Sequence, residues 1–370
     1  MLSELKMNKV ILTSALLFAG LTSHAADNPG AGAVYTMDNS SSGNHLLVYA
    51  RSADGRLSPA GAIATGGLGA GGGLGSQGAL ARSDNAHWIL ACNAGSDEIS
   101  TFAVGNAGPV LTHKTSSGGK HPISVALHGN TVFVLNAGGQ VGDVDSITGF
   151  SLADGKLTAI PNSTHGLSAS NTNPAQIGFS DDGTVLIVTE KDTGLIDTFR
   201  LDENGGIVSA KSFASSGQTP FGFDVRGDKL VVSEAVGGVV NASAASSYQI
   251  EPDGNLTLLS GSAPTTETSA CWALITINGR YAYTANTGSG TITGFAVNNI
   301  GLLSRLNDDG ITALTGGAGP ADLAFSNGSR FLYVRNGNGS IAGFRVNADG
   351  ALSPVAHIPT AHTAVGLIGR

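Results

Sequence analysis

Two glutamates stand where the chain elsewhere repeats asparagine, and they are the residues best placed for acid–base chemistry. Seven short apolar runs each end in a polar residue: Asp38, Asn93, Asn136, Glu190, Glu234, Asn286 and Asn336. Asn and Asp at a strand end hydrogen-bond the following turn through their own side chains. Glu is a poor turn former, so Glu190 and Glu234 carry information that the other five do not. Two carboxylates held together raise the pKa of one of them, which yields a proton donor or acceptor closer to neutrality. Glu234 is therefore read as the acid/base and Glu190 as the neighbour that tunes it. Gln77, Gln176, Asn93, Asn136 and Asn286 would supply polarising amides, Lys191 and Asp322 charge, and Trp272 an apolar face. That mixture suits a small polar ligand.

The spacing of these polar ends says what must position them. Positions 38 to 336 span six steps with a mean near 50 residues, within the range of blade repeats built from four short strands. The pattern Ile-x-x-aromatic follows most copies, placing Tyr49, Phe102, Phe150, Phe199, Tyr248, Phe295 and Phe344 at equivalent points, where they are expected to pack between repeats. Tight turns follow each aromatic, at Gly55, Gly108, Gly155, Gly205, Gly254, Gly301 and Gly350; glycine supplies the positive φ that hairpins need. A second turn precedes the polar-ended strand in every copy but the first. Copy one thus lacks an innermost strand, and the tail His362–Ile368 can supply it. The expected fold is all-β, a seven-bladed β-propeller over residues 30–370, closed by pairing of the C-terminal strand into the first blade.

Composition agrees and excludes several partners. The 370 residues include 54 glycines, and only 12% are charged, about half the usual ~25%, which disfavours long solvated helices. A net charge of −8 argues against nucleic acid, whose phosphates are neutralised by Lys and Arg. Lys6 and Lys9 precede the apolar run Val10–Leu21, and Ser23-His24-Ala25 offers small residues for cleavage. Residues 1–25 therefore read as a secretory signal peptide, and the mature chain as periplasmic or secreted. No later stretch is long and apolar enough to span a bilayer, so no membrane association is expected after cleavage, and a monomer is expected. Cys92 and Cys271 are the only cysteines. Their copies lie far apart in the ring, so two buried free thiols are expected.

Other motifs fail on context. Gly67-x-Gly69-x-x-Gly72 and Gly73-x-Gly75-x-x-Gly78 match a dinucleotide pattern, but that pattern needs a strand before it and a helix after it; here it joins two blades as a turn-rich connection. No Gly-x-Ser-x-Gly occurs, the histidines are scattered, and Asp143 and Asp145 lack an oxygen-rich calcium loop. No cofactor and no metal are expected.

With its sevenfold repeat, Val188-Thr-Glu-Lys191, Val232-Ser-Glu-Ala235 and Cys271-Trp272, the chain resembles the lactonase-type seven-bladed propeller family, which includes 6-phosphogluconolactonase of the propeller type and carboxymuconate lactonising enzyme. The resemblance covers essentially the whole mature chain and looks closest to an exported branch. It implies lactone chemistry, with Glu234 at the position of a family site glutamate. It also implies departures, because Pro174-Ala175-Gln176 and Pro220-Phe221-Gly222 stand where the family carries histidines and a cationic residue. Two readings stay open: an exported enzyme that opens or closes a small lactone at the channel mouth with Glu234 as acid/base, or a noncatalytic propeller that binds a ligand or protein. A quinone-dependent dehydrogenase is a third, without cofactor-specific residues to favour it.

Overall fold

The computed structural model describes residues 31–138 and 144–370; the signal peptide expected over residues 1–25, and Asp143, lie outside them. Seven antiparallel sheets form the ring, each ordered from an inner to an outer strand. Blade 1 takes its inner strand, Val365–Gly369, from the C-terminus, and Gly32–Met37, His45–Arg51 and Leu57–Ala64 follow outward. The inner strands of blades 2 to 7 are Leu80–Arg82, Pro122–His128, Pro174–Phe179, Pro220–Arg226, Ala270–Ile275 and Pro320–Phe325. Ring closure by the tail is as the missing strand of copy one requires.

Five of the second strands end at the polar residue that the repeat assigns them: Trp88–Asn93, Val185–Glu190, Lys229–Glu234, Tyr281–Asn286 and Phe331–Asn336. All seven glycines that follow the aromatic strands have positive φ, between 77° and 103°. The outer strand is interrupted in two blades. In blade 3 it splits into Lys156–Ala159 and His165–Gly166 around Pro161, and in blade 6 into Leu303–Arg305 and Ala313–Leu314 around a turn at Asn307–Gly310.

Each repeated aromatic packs against the preceding blade. Phe102 joins Tyr35, Met37 and Leu46; Phe150 joins Leu90 and Cys92; Phe199 joins Phe133; Tyr248 joins Val185 and Ile187; Phe295 joins Val231. Tyr49 and Phe344 do the same across blades 7/1 and 6/7. These seven rings lie at most 4% exposed, so the core is a series of seams between blades. The two cysteines, Cys92 in blade 2 and Cys271 in blade 6, are buried and unpaired. Burial pushes the Cys271 thiol up to about 11, and the Cys92 thiol higher still.

Ending the chain at Ala364 removes the inner strand of blade 1. It strands Thr36, whose hydroxyl donates to the carbonyls of Val365 and Gly366, and uncovers Leu80, which packs with Val365. We expect the truncated protein to lose its single cooperative melting transition and to aggregate, as measured by calorimetry and size-exclusion chromatography. A normal melt would show that the tail is not the closing strand.

Candidate functional site

Propeller axes are lined by inner strands, and each of these has one edge without a strand partner. Backbone groups there need other partners when they are buried. In this chain a side chain of one blade serves the inner strand of the next. Ser124 Oγ accepts the Ile177 amide at 3.2 Å, Gln176 Oε1 the Phe223 amide at 2.7 Å, Asp224 Oδ2 the Ile275 amide at 2.7 Å, and Asp322 Oδ2 the Gly366 amide at 2.7 Å. A register shift next to the first residue re-aims the inner strand in blades 3 to 7, the usual effect of a bulge. Proline starts the inner strand in four of them, where its missing N–H costs nothing. Burial raises Asp224 and Asp322 to about 6 each.

The axial mouth itself is filled. The glycine-rich connection from blade 1 to blade 2, expected to be only a turn-rich linker, runs across the face and inserts Ser76 and Gln77 between the blades. Gln77 is 6% exposed. Its amide donates to the carbonyls of Ala273, at 2.9 Å, and Phe223, at 3.2 Å, and its Oε1 accepts the Ala273 amide at 3.0 Å. The Gln77 backbone amide donates to Ala175 O, Ser76 Oγ to Ile123 O, and Trp272 Nε1 to Ser76 O. One segment thus ties blades 3, 4, 5 and 6 together. Gly222 must lack a side chain, since a methyl there would collide with Gln77 Oε1. Lys191 fastens the segment from outside: its ammonium donates to Gly75 O at 2.6 Å and lies 4.7 Å above the Phe221 ring, which in turn packs 5.1 Å from Trp272. Desolvation lowers Lys191 to about 8. Gln77, Gln176, Trp272 and Asp322 are therefore parts of the axial packing, and Lys191 is its clasp.

The polar ends of the second strands do not form an open ring either. Asn93, Asn136, Glu190, Glu234, Asn286 and Asn336 are each 0% exposed; Asp38 is half-buried and bonded to His45 at 2.8 Å. Their partners lie inside their own blades or in the connection that enters them, with Asn44 of blade 1 beside Asn93 as the exception. Asn93 binds Ser100, Asn44 and Thr65; Asn136 donates to Ser117 O; Asn286 binds Thr291 and Thr293. Glu234 Oε1 accepts the Gly217 amide and the Ser246 hydroxyl, and the Ser262 hydroxyl also lies beside its carboxyl. Burial raises its pKa.

Glu190 has a carboxylate neighbour, but it is Asp197 of its own blade, at the position where other blades carry Ser100, Ser246 or Thr293. Glu190 also accepts the Ser168 amide at 2.9 Å, the Ser168 hydroxyl, and the Thr193 hydroxyl at 2.5 Å. Asp197, 2% exposed, is raised to about 7 by burial and by its hydrogen bond to Glu190. The convergence expected of Glu190 and Glu234 is thus not what shifts Glu234: burial raises it, against hydrogen bonds that pull it down.

An open cavity of about 510 Å³ lies on the same face, displaced from the axis toward blades 1 to 3. Its walls come from the second-to-third-strand loops of those blades and from the connections between them: Ser41, Leu68–Ala70, Ala94, Gly95, Asp97, Lys120, His121 and Gly138. Asp97 and His121 both have left-handed backbones, with φ of 58° and 52°, an arrangement that costs energy in a non-glycine residue and gathers at ligand clamps. Asp97 ties the corner together, accepting the His121 amide and the Lys120 ammonium, each at 2.8 Å. In the sequence His121-Pro122 marks only the start of an inner strand at the channel mouth, with nothing to single out this cavity. No signal marks Asp97 or Lys120, which come from turns of ordinary composition.

Neither a family model nor a curated protein matches the sequence. Solved structures do match the fold. The periplasmic gluconolactonase PpgL of Pseudomonas aeruginosa is similar at 17% identity and a TM-score of 0.71, over 91% of this chain and 98% of its own. Presumed 6-phosphogluconolactonases of Bacteroides fragilis and Bacteroides uniformis give 18% and 17% identity, each with a TM-score of 0.69 over 91% of this chain and 97% and 99% of theirs. The architecture is that of the lactonase-type seven-bladed propellers, as the repeats imply. At this identity the likeness is one of fold, and function has to be argued from the site.

Two measurements test this assignment of roles. Replacing Gln77 by Leu leaves the Ala273 amide and the carbonyls of Ala273 and Phe223 unpaired, which should cost about 2 to 4 kcal/mol in urea unfolding; an unchanged midpoint would refute the axial role. Replacing Asp197 by Ser should change the pH dependence. With its folded pKa raised, Asp197 holds a proton between about pH 4 and 7 that the unfolded chain releases, so stability falls as pH rises through that window. Asp197→Ser should flatten this decline and raise stability at pH 8 by roughly 1 to 3 kcal/mol; a parallel decline in both proteins would show the pair to be uncoupled.

Proposed function

We propose that this chain is an exported, lactonase-type propeller that binds a small polar ring ester in the cavity between blades 1 and 3. One observation carries the reading: the axis is occupied by the chain's own Ser76, Gln77 and Trp272, while an open volume on that face lies beside Asp97 and His121. About 510 Å³ falls within the ~300 to 1,000 Å³ of ordinary small-molecule sites. Leu68 and the alanines offer an apolar wall, and Ser41, Asp97 and His121 offer polar atoms to orient a ligand. His121 is the group in this cavity suited to take a proton from an attacking water. Hydrolysis would add that water to the ester carbonyl, break the ring C–O bond, and return the proton to the departing alkoxide, giving one hydroxy acid. Export rests on the residue 1–25 leader and is tested by N-terminal sequencing of the protein recovered outside the cytoplasm.

A second site for the same chemistry is favoured by Glu234. Its buried carboxyl with a raised pKa has the attributes of a general acid, and a ligand would reach it only after the Gly217 connection moves aside.

The two sites, and binding without turnover, separate in one experiment. Purified protein is melted with sugar and aliphatic lactones, since a ligand of the folded state raises the transition by mass action, and acid release is titrated in parallel. Asn tolerates a left-handed backbone, so His121→Asn preserves the fold. Loss of turnover, by about 100-fold or more, in His121→Asn and not in Glu234→Gln is the expected result. The reverse pattern would move the chemistry to Glu234. A melting shift with no acid release would leave a binding protein, and no shift with any lactone would remove the proposal.

A further inference from the structure

Resting on that reading, we infer that the cavity is built for an uncharged ring ester rather than a phosphorylated one, and that Asp97 enforces the choice. An anionic ligand needs an available cation or a cluster of free backbone amides. Among the described residues the cavity wall holds one lysine, and Lys120 is engaged by Asp97 at 2.8 Å. The next lysine along this edge, Lys114, is likewise held by Glu98 at 2.9 Å and donates to Gly66 O.

The glycine-rich wall resembles a phosphate cradle in sequence, but its amides are committed. Gly69 N–H donates to Ser40 O, Ala70 N–H to Asn39 Oδ1, Gly71 N–H to Asn39 O, and Gly95 N–H to Leu68 O, all between 2.8 and 3.0 Å. A neutral lactone asks for none of these groups. It needs hydroxyl-sized acceptors and donors, which Ser41, Asp97 and His121 supply, and an apolar wall.

Asp97 is fixed for this task from several sides. Its Oδ1 receives the His121 amide, its Oδ2 the Lys120 ammonium, and its carbonyl the Ser117 amide. Burial opposes its ionisation, but the His121 amide and Lys120 outweigh that and hold its carboxyl below the usual range, so it stays charged at neutral pH. The chain's net charge of −8 adds a repulsive background for anions.

Asn fits the left-handed backbone at position 97 and keeps an oxygen for the His121 amide, so Asp97→Asn removes the charge while sparing the turn. The probes are freshly dissolved glucono-1,5-lactone and its 6-phosphate, with binding read as melting shifts and as Kd by calorimetry at low salt. The wild type should bind the neutral lactone and bind the phosphate at least fivefold more weakly. Asp97→Asn should narrow the gap between the two ligands by about fivefold, a narrowing that 0.5 M NaCl suppresses. Lys120→Gln should weaken phosphate binding further. If the wild type binds the phosphate as well as the neutral lactone, or if Asp97→Asn folds and changes neither, the inference fails while the cavity remains a lactone site. If no lactone binds at all, the proposal for the cavity fails first, and this inference falls with it.

Discussion

Seven strand edges point at one axis, and their amides and carbonyls must be paired somewhere other than in a sheet. An isolated sheet edge is satisfied by water or by another strand; an edge facing a narrow axis has room for neither. Here the solution is borrowed side chains. Ser124, Gln176, Asp224 and Asp322 each reach to the next inner strand, and Gln77 supplies, from a single amide, both a donor and an acceptor to Ala273. The bulge beside the first residue of these strands, and the prolines that start four of them, follow from the same need to turn the right side chain toward a neighbour.

That solution decides where chemistry has room. Once the axis is packed with amides, an indole and the Ser76–Gln77 segment, the polar ring around it becomes a set of braces between each blade and the connection entering it. Glu190 and Glu234 share that position with the asparagines and keep its hydrogen-bonding duties, receiving Ser168 and Gly217 amides. Open space lies further out, where the connections into blades 2 and 3 meet the second-to-third-strand loops of blades 1 to 3. A fold shared with lactonases is thus compatible with a site displaced from the axis, because the loops and not the blades shape the opening.

The architecture was legible because it is periodic. Polar ends, aromatic seams and hairpin glycines recur about every 50 residues, and each recurrence reinforces the others, so strand ends such as Glu190 and Asn286 came out to the residue. Periodicity is also what misled about the site. It identified Glu190 and Glu234 as departures from a pattern, which they are, but it could not say that their side chains turn into the blade rather than toward the axis. Asp197 went unnoticed because a lone aspartate within an alternating strand reads as a surface residue. The glycine-rich connection was recognised as a linker, yet nothing in its composition announced that Gln77 would reach a residue 196 positions away. Asp97 and Lys120 belong to one-off turns, about which a repeat says nothing.

The Gln77 bridge has a further bearing on how the molecule is assembled. Its partners in blades 5 and 6 are made long after it, and the strand that completes the first blade is the last part of the chain. Contacts of such separation close large loops before they yield any stabilisation. Early blades can form their hairpins as they are synthesised, but the axial anchor has to wait for blades 5 and 6, and the inner edge of blade 1 for Val365–Gly369. Folding of this ring should therefore be slow and should end in one concerted step, in which the oldest and the newest segments of the polypeptide dock together.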